Sequence, residues 1–197
     1  MPTLLRPAEI TVQSATVDSK RWDAYRPRAD DIIVATYPKC GTTWTQRIVD
    51  LLIFQNAEPR EIMANAPWLD CVFMAPLDVM IGTLEAQTHR RSIKSHLPLN
   101  ALPIYEGVKY IHVARDGRDS CMSMHNHQLG FIPTARTRMA AGGEPPPPVP
   151  EDPREFFLQW IAGEEGGGAP DETHFGTYFD FENTYWGARK GGNLLIV

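Results

Sequence analysis

Short, continuous apolar runs alternate along the chain with segments whose apolar residues recur at helical spacing. The first run, DIIVATYP from Asp31 to Pro38, has the core IIVA, as expected of a strand covered on both faces of a parallel sheet. Pro38 and Gly41 break it. From Thr42, TTWTQRIVDLLIF carries Trp44, Ile48, Leu51 and Leu52 at helical spacing, which predicts an amphipathic helix with that stripe as its apolar face. The unit is repeated. RSIKSH, Arg91 to His96, predicts a second strand, stopped by Pro98. KYIHVAR, Lys109 to Arg115, predicts a third, followed by an Asp116-Gly117 turn and a helix that starts near Asp119 or Ser120. NLLIV predicts a last strand at Val197. Strands alternating with helices predict an α/β fold, a central and mostly parallel sheet flanked by helices.

The ends and one interruption depart from this rhythm. Residues 1–30 are polar and mixed, and read as an N-terminal arm leading in through Trp22, Tyr25 and Pro27. Residues 140–153 hold six prolines and exclude helix or inner strand. With EEGGGAP at 164–170 they make 131–176 a long excursion from the sheet, crossed by a short helix from Glu155. It is either a lid or substrate loop, or a plain surface loop.

Composition narrows the function classes. At 197 residues with 43% apolar and 22% charged positions, the chain suits a single domain at 1–197. Lys and Arg number 19 against 24 Asp and Glu, a net charge of −5, so a general nucleic-acid binder is not expected. An anionic ligand would need a local positive site. No apolar run approaches the ~20 residues of a membrane span, and the N-terminus does not read as a secretory signal. Cys40, Cys71 and Cys121 are too few and too scattered for a disulfide framework, which suggests a reducing compartment and a cytoplasmic location.

The chemistry collects at the strand ends. In TYPKCGTTW, Thr36 to Trp44, a loop passes from a buried strand into a helix whose first amides and dipole favour a phosphate or sulfate. Gly41 lets backbone approach the anion. Thr42 and Thr43 add hydroxyls, Lys39 adds a charge, and Trp44 offers a flat face for a base. The same residues also suit an ordinary strand–helix connection capped by Thr42. The pattern is not a Walker loop, because the lysine precedes the glycine. It is not a phosphatase loop either, because Gln46 stands where C-x5-R needs an arginine. His96, at a strand end beside Lys94, is a candidate general base or a packed structural histidine. Arg115 at the third strand end can fork onto a phosphate or pair with Asp116 or Asp119 at the surface. His89, His112, His125, His127 and His174 read as structural or surface residues.

TYPKCGTTW resembles the 5′-phosphosulfate-binding signature of the cytosolic-type sulfotransferases, usually written TYPKSGTTW. Cys40 replaces the usual serine. A thiol is the weaker donor, and beside a helix N-terminus its pKa is open to lowering and its sulfur to oxidation. RRSIKSHLPLNALP looks like the segment that carries that family's catalytic histidine. VARDGRDSCMSMHNH resembles its 3′-phosphate-binding segment, with Ser123 eight residues after Arg115. In GTYFDFENTYW, Tyr178 and Phe179 fall on the family's aromatic pair, with Phe179 where a tyrosine usually contacts the adenine.

The resemblance runs from about Trp22 to Val197. It implies a P-loop-like three-layer fold and transfer of a sulfuryl group from 3′-phosphoadenosine 5′-phosphosulfate to a hydroxyl or amine of a small acceptor. His96 would take the acceptor proton, Lys39 would neutralise the leaving phosphate, and Lys94 would steady the sulfuryl oxygens. Cys40, Gly41, Thr42, Thr43 and Trp44, with Arg115, Ser123 and Phe179, would hold the nucleotide. The scheme calls for no metal. The family's later Gly-rich segment, opened by Arg-Lys-Gly, does not follow. RKGG at Arg189 precedes the last strand, so the domain is expected without its C-terminal part and NLLIV without cover. The arm, the segment 67–88 with Pro67, Trp68, Phe73 and Met74, and the Pro-rich excursion either line the acceptor pocket, where their apolar and aromatic content suggests a hydrophobic alcohol or phenol, or are simply core. The other readings are a P-loop small-molecule kinase using ATP and Mg²⁺, and a non-catalytic nucleotide-binding fragment.

Overall fold

The computed structural model describes residues 1–14, 16–131, 149–163 and 177–197. A four-stranded parallel sheet forms its centre. It contains β2 (Ile32–Ala35), β3 (Ser92–Ser95), β5 (Lys109–His112) and β6 (Leu194–Ile196), in the spatial order β3-β2-β5-β6. Register places Ala35 beside both Ser95 and His112, so three strands end level with one another. A small antiparallel pair, β1 (Leu4–Arg6) with β4 (Ile104–Tyr105), lies apart.

Every residue of β2 is buried, which explains its unbroken apolar run. Ile32 and Val34 face Val49 and Ile53 of α1 (Thr42–Phe54). Ile33 and Ala35 face a larger core on the other side. Into it project Met80 and Leu84 of α3 (Leu77–Ala86), Cys121 and Met124 of α4 (Gly117–Leu129), Phe156 and Trp160 of α5 (Pro153–Ala162), and Phe181 and Tyr185 of α6 (Tyr178–Gly187). A one-turn helix, α2 (Ile62–Asn65), follows α1. The expected three layers are present.

Four expectations change. Residues 1–30 are not an arm outside the core, because Val12, Val17, Trp22 and Tyr25 are buried within it. The stripe of α1 that the pattern marked as apolar and inward faces out: Trp44 is 78% exposed and Leu52 65%. The buried face carries Thr42, Gln46, Val49 and Asp50. Gln46 donates to the Ala66 carbonyl (3.0 Å), and Asp50 gathers Arg47 (2.6 Å) and Arg60 (3.2 Å). Hydrogen-bond pairing, which apolar periodicity does not see, decided the face. The third strand ends at His112 rather than Arg115, and α4 begins at Gly117 with Asp116 as N-cap, its side chain accepting the Arg118 N–H (2.9 Å). A Cβ at position 117 would come within 3.1 Å of the Tyr178 ring, so glycine permits α6 to pack there. Within the expected excursion, α5 is a helix capped by Asp152, while 132–148 and 164–176 lie outside the described residues. Leu195 and Val197 at the β6 edge are 56% and 67% exposed.

Candidate active site at the carboxyl edge of the sheet

Three loops leave the level ends of β2, β3 and β5 side by side, the usual place for a ligand in a parallel α/β sheet. After β2 the chain turns through left-handed backbone at Lys39 (φ 68°) and Gly41 (φ 94°). At Lys39 such a conformation is strained, and backbone strain of this kind collects at ligand-binding turns. Gly41 is the N-cap of α1 and offers no side-chain acceptor to its first amides. The first helical bond runs from Thr45 N–H to Gly41 O (3.0 Å), so the amides of Thr42, Thr43 and Trp44 have no intrahelical acceptor. Amides in that position, at the positive end of the helix dipole, suit an anion. Thr42 is buried, with its hydroxyl 2.5 Å from that of Thr36, whereas Thr43 and Trp44 are exposed beside the loop.

The expectation that the helix N-terminus lowers the Cys40 pKa is overturned. Its thiol is buried 3.0 Å from the Ser120 hydroxyl, and burial pushes it up to about 12. Desolvation outweighs the helix dipole here. Cys71 and Cys121 are also buried and pushed up to about 11. A thiol reagent at pH 8 is therefore expected to label the native chain far more slowly than the denatured chain. Rapid modification of Cys40 in the folded protein would contradict this.

His96 follows β3 directly and is only 6% exposed. Its Nδ1 lies 2.8 Å from the Thr36 carbonyl, an oxygen that can only accept. Nδ1 therefore carries the hydrogen, and Nε2 of the neutral ring keeps a lone pair. Burial, with Lys94 and Lys39 close by, holds the imidazolium well below its usual range. The ring thus stays unprotonated at neutral pH. In the unfolded chain it binds a proton below about 6.5, so His96 costs stability as pH falls through that value. Lys94 extends from the same strand with Nζ 4.0 Å over the Trp68 ring, whose edge meets His96 (4.9 Å between centroids). Phe73 packs edge-on against Trp68 at 5.8 Å.

Beyond β5, Arg115 Nη1 donates to the Lys39 carbonyl (3.2 Å), tying the third loop to the first. The Arg115 side chain is 42% exposed and reaches Asp119 only at 3.7 Å, too loosely to occupy its whole fork. Arg118 is the residue held by Asp116 (2.7 Å). The Tyr178 hydroxyl donates to the Arg115 carbonyl and brings the start of α6 to this edge, with Phe179 58% exposed. Ser123 lies half-buried in α4, two turns beyond Arg115. The structure thus gathers Lys39, Cys40, Gly41, Thr42, Thr43, Lys94, His96 and Arg115 at one edge, with Trp44 and Phe179 as exposed rings on its flanking helices.

Of the histidines read as structural or surface, His112 is structural: it is buried, stacked on Tyr185 at 3.8 Å and 2.8 Å from Glu182, which binds α6 to β5. His127 is exposed on α4 with its ring against Phe131 (4.6 Å), and burial, then Lys39 and Lys94, lower its pKa. No helix among the described residues is long and apolar enough to cross a membrane.

A family described as "Sulfotransferase domain" matches residues 29–197. The glycolipid sulfotransferase of Mycobacterium tuberculosis is 37% identical over 166 residues, covering 78% of this chain and 50% of that protein. Cytosolic sulfotransferase 1 of Danio rerio is 30% identical over 186 residues, covering 88% and 54%. Among solved structures, mouse sulfotransferase SULT7A1 complexed with PAP superposes with a TM-score of 0.61 at 20% identity, over 89% of this chain and 53% of that one. That likeness shows the fold. The chain spans about half the length of the curated relatives it matches.

Proposed function

The chain belongs to the sulfotransferase family, and on that premise we propose that it moves a sulfuryl group from 3′-phosphoadenosine 5′-phosphosulfate to a hydroxyl of a small, partly apolar acceptor. The observation that carries this reading is the shared edge. A neutral imidazole with a bare Nε2, two lysines and an unsaturated helix N-terminus meet at the ends of adjacent parallel strands.

Sulfuryl transfer, like phosphoryl transfer, asks the protein chiefly to align two oxygens and neutralise charge. The amides of Thr42, Thr43 and Trp44 and the Thr43 hydroxyl hold the 5′-phosphate. Lys39 meets the charge that grows on the leaving phosphate oxygen. His96 takes the acceptor proton at Nε2 while Nδ1 stays on Thr36. Lys94, resting on Trp68, is placed to swing onto the sulfuryl oxygens. Arg115 and Ser123 take the 3′-phosphate, and the adenine lies between Trp44 and Phe179. Cys40 shapes the loop through Ser120 rather than through the nucleotide. Trp68 and Phe73 form an aromatic shelf beside the base, which suits a phenol or an apolar alcohol.

Arg115 gives the sharpest binding test. Arg115→Ala is expected to weaken 3′-phosphoadenosine 5′-phosphate by about 10- to 100-fold, the loss of a charge-assisted fork. Adenosine 5′-phosphate, which lacks the 3′ group, should bind the variant and the parent alike. Calorimetric titration of both nucleotides decides it, and equal losses for the two would remove the assignment.

A further inference from the structure

The polar group that fixes the His96 turn lies outside all three strand-end signatures. Residues 67–71 run alongside β3 like an added edge strand: Trp68 pairs in parallel with Lys94, Lys94 N–H donates to Pro67 O (2.9 Å), and Leu69 N–H to Lys94 O (3.3 Å). This brings Asp70, fully buried, against the end of β3. Its Oδ2 accepts the Ser95 hydroxyl (2.7 Å) and the His96 N–H (3.2 Å). Ser95 Oγ in turn accepts the Leu97 N–H (3.0 Å), and Leu97 O accepts the Tyr185 hydroxyl (2.7 Å). One carboxylate oxygen therefore pins the residue before the base, the base itself and, through Ser95, the residue after it. Oδ1 has no hydrogen-bond partner among the described residues.

A buried carboxylate is a poor choice for packing alone, since an apolar residue of similar size would fill the space without desolvating a charge. The groups facing it are Lys94 from β3, His96 just after it, Cys71 beside it and Tyr185 from α6. Burial raises its carboxyl to about 6, against the pull of Ser95, the His96 amide and Lys94.

Resting on the reading of His96 as the base, we propose that Asp70 is a positioning residue for sulfuryl transfer: its carboxylate locks the Ser95–His96–Leu97 turn so that Nε2 of His96 points at the acceptor hydroxyl. Asp70 touches neither nucleotide nor acceptor. The ionised carboxylate can only accept, which sets the direction of both bonds and makes them strong. Protonation weakens them. The acid limb of the rate is therefore expected near pH 6 and belongs to Asp70, because His96 titrates well below its usual value.

The test compares the full chain with D70N, D70A and S95A. D70A is expected to lose about 100-fold in kcat, the cost of a misplaced catalytic group, and D70N about tenfold, since its amide oxygen still accepts. Affinity for 3′-phosphoadenosine 5′-phosphate should stay close to that of the parent in every variant. The limb near pH 6 should vanish in D70N. Without any ligand, the His96 amide should lose its protection from hydrogen exchange in D70A and keep part of it in D70N. Unchanged kcat in both Asp70 variants, or equal losses of kcat and nucleotide affinity, would overturn the proposal. Should D70A fail to fold, D70N and S95A decide on the same split. If the parent chain transfers no sulfuryl group, the functional reading fails by itself. The exchange of the His96 amide then decides the Asp70 contact alone, and full protection in the Asp70 variants overturns it.

Discussion

On the proposed reading, His96→Ala is expected to lower sulfuryl transfer about a thousandfold, in the middle of the range for losing a general base, and to leave nucleotide affinity nearly unchanged. Two observations require this split. The ring is locked by Nδ1 onto the Thr36 carbonyl, so Nε2 alone is available for proton transfer. Its neutral state is enforced by burial and by Lys94 and Lys39, so it is a ready acceptor of a proton across the neutral range. The phosphates are assigned to other groups: the amides at the start of α1 and the guanidinium of Arg115. A variant that keeps the nucleotide and loses the reaction is the expected result in a paired rate and calorimetric measurement. Parallel losses of binding and rate would move His96 from the chemistry to the framework.

Arg91→Ala is expected to destabilise the fold by about 3–5 kcal/mol, the cost of orphaning a buried charge. At the opposite end of the sheet from the site, Arg91 and Asp31 are both fully buried. They meet through two parallel bonds, Nε to Oδ1 (2.8 Å) and Nη2 to Oδ2 (2.6 Å). Tyr25 (2.6 Å) and the Arg28 amide (2.9 Å) also donate to Asp31, and Arg91 donates to the Arg26 carbonyl (2.6 Å). Burial and the neighbouring carboxylate hold the Tyr25 hydroxyl far above its usual range, so it remains a donor. The cluster welds residues 25–31 to the starts of β2 and β3. Removing the arginine leaves a carboxylate with neither water nor counter-charge. Replacing both partners, as in Arg91→Met with Asp31→Leu, should recover much of the loss. Thermal unfolding of the single and double variants tests this, and a loss below about 1 kcal/mol in the single variant would mean that water reaches the pair.

Much of the site is legible in the sequence because it is written in short, local patterns. A strand, a turn with Gly41 and a helix are consecutive residues, and the register of β2 with β3 and β5 then carries Lys39, His96 and Arg115 to one edge. What the pattern misread depends on partners distant in the chain. The polar face of α1 is buried because Ala66, Arg60 and Asn65 lie across from Gln46 and Asp50. Tyr25 joins the core because Arg91 and Tyr105 receive it, and Trp22 packs against Tyr25 in turn. Asp70 escaped notice for the same reason. A single carboxylate in the apolar stretch PWLDCVFM shows no motif, and its meaning appears only when that stretch lies beside His96. Cys40 was misjudged from its helix end because burial is invisible in a sequence.

The central claim is that one doubly phosphorylated adenosine spans the three strand ends. The most direct measurement is a structure of the chain bound to 3′-phosphoadenosine 5′-phosphate. The expected result places the 5′-phosphate on the amides of Thr42 to Trp44, the 3′-phosphate on Arg115 and the adenine against Trp44. A nucleotide seated away from Gly41 and Arg115, with His96 remote from its 5′-phosphate, would contradict the account.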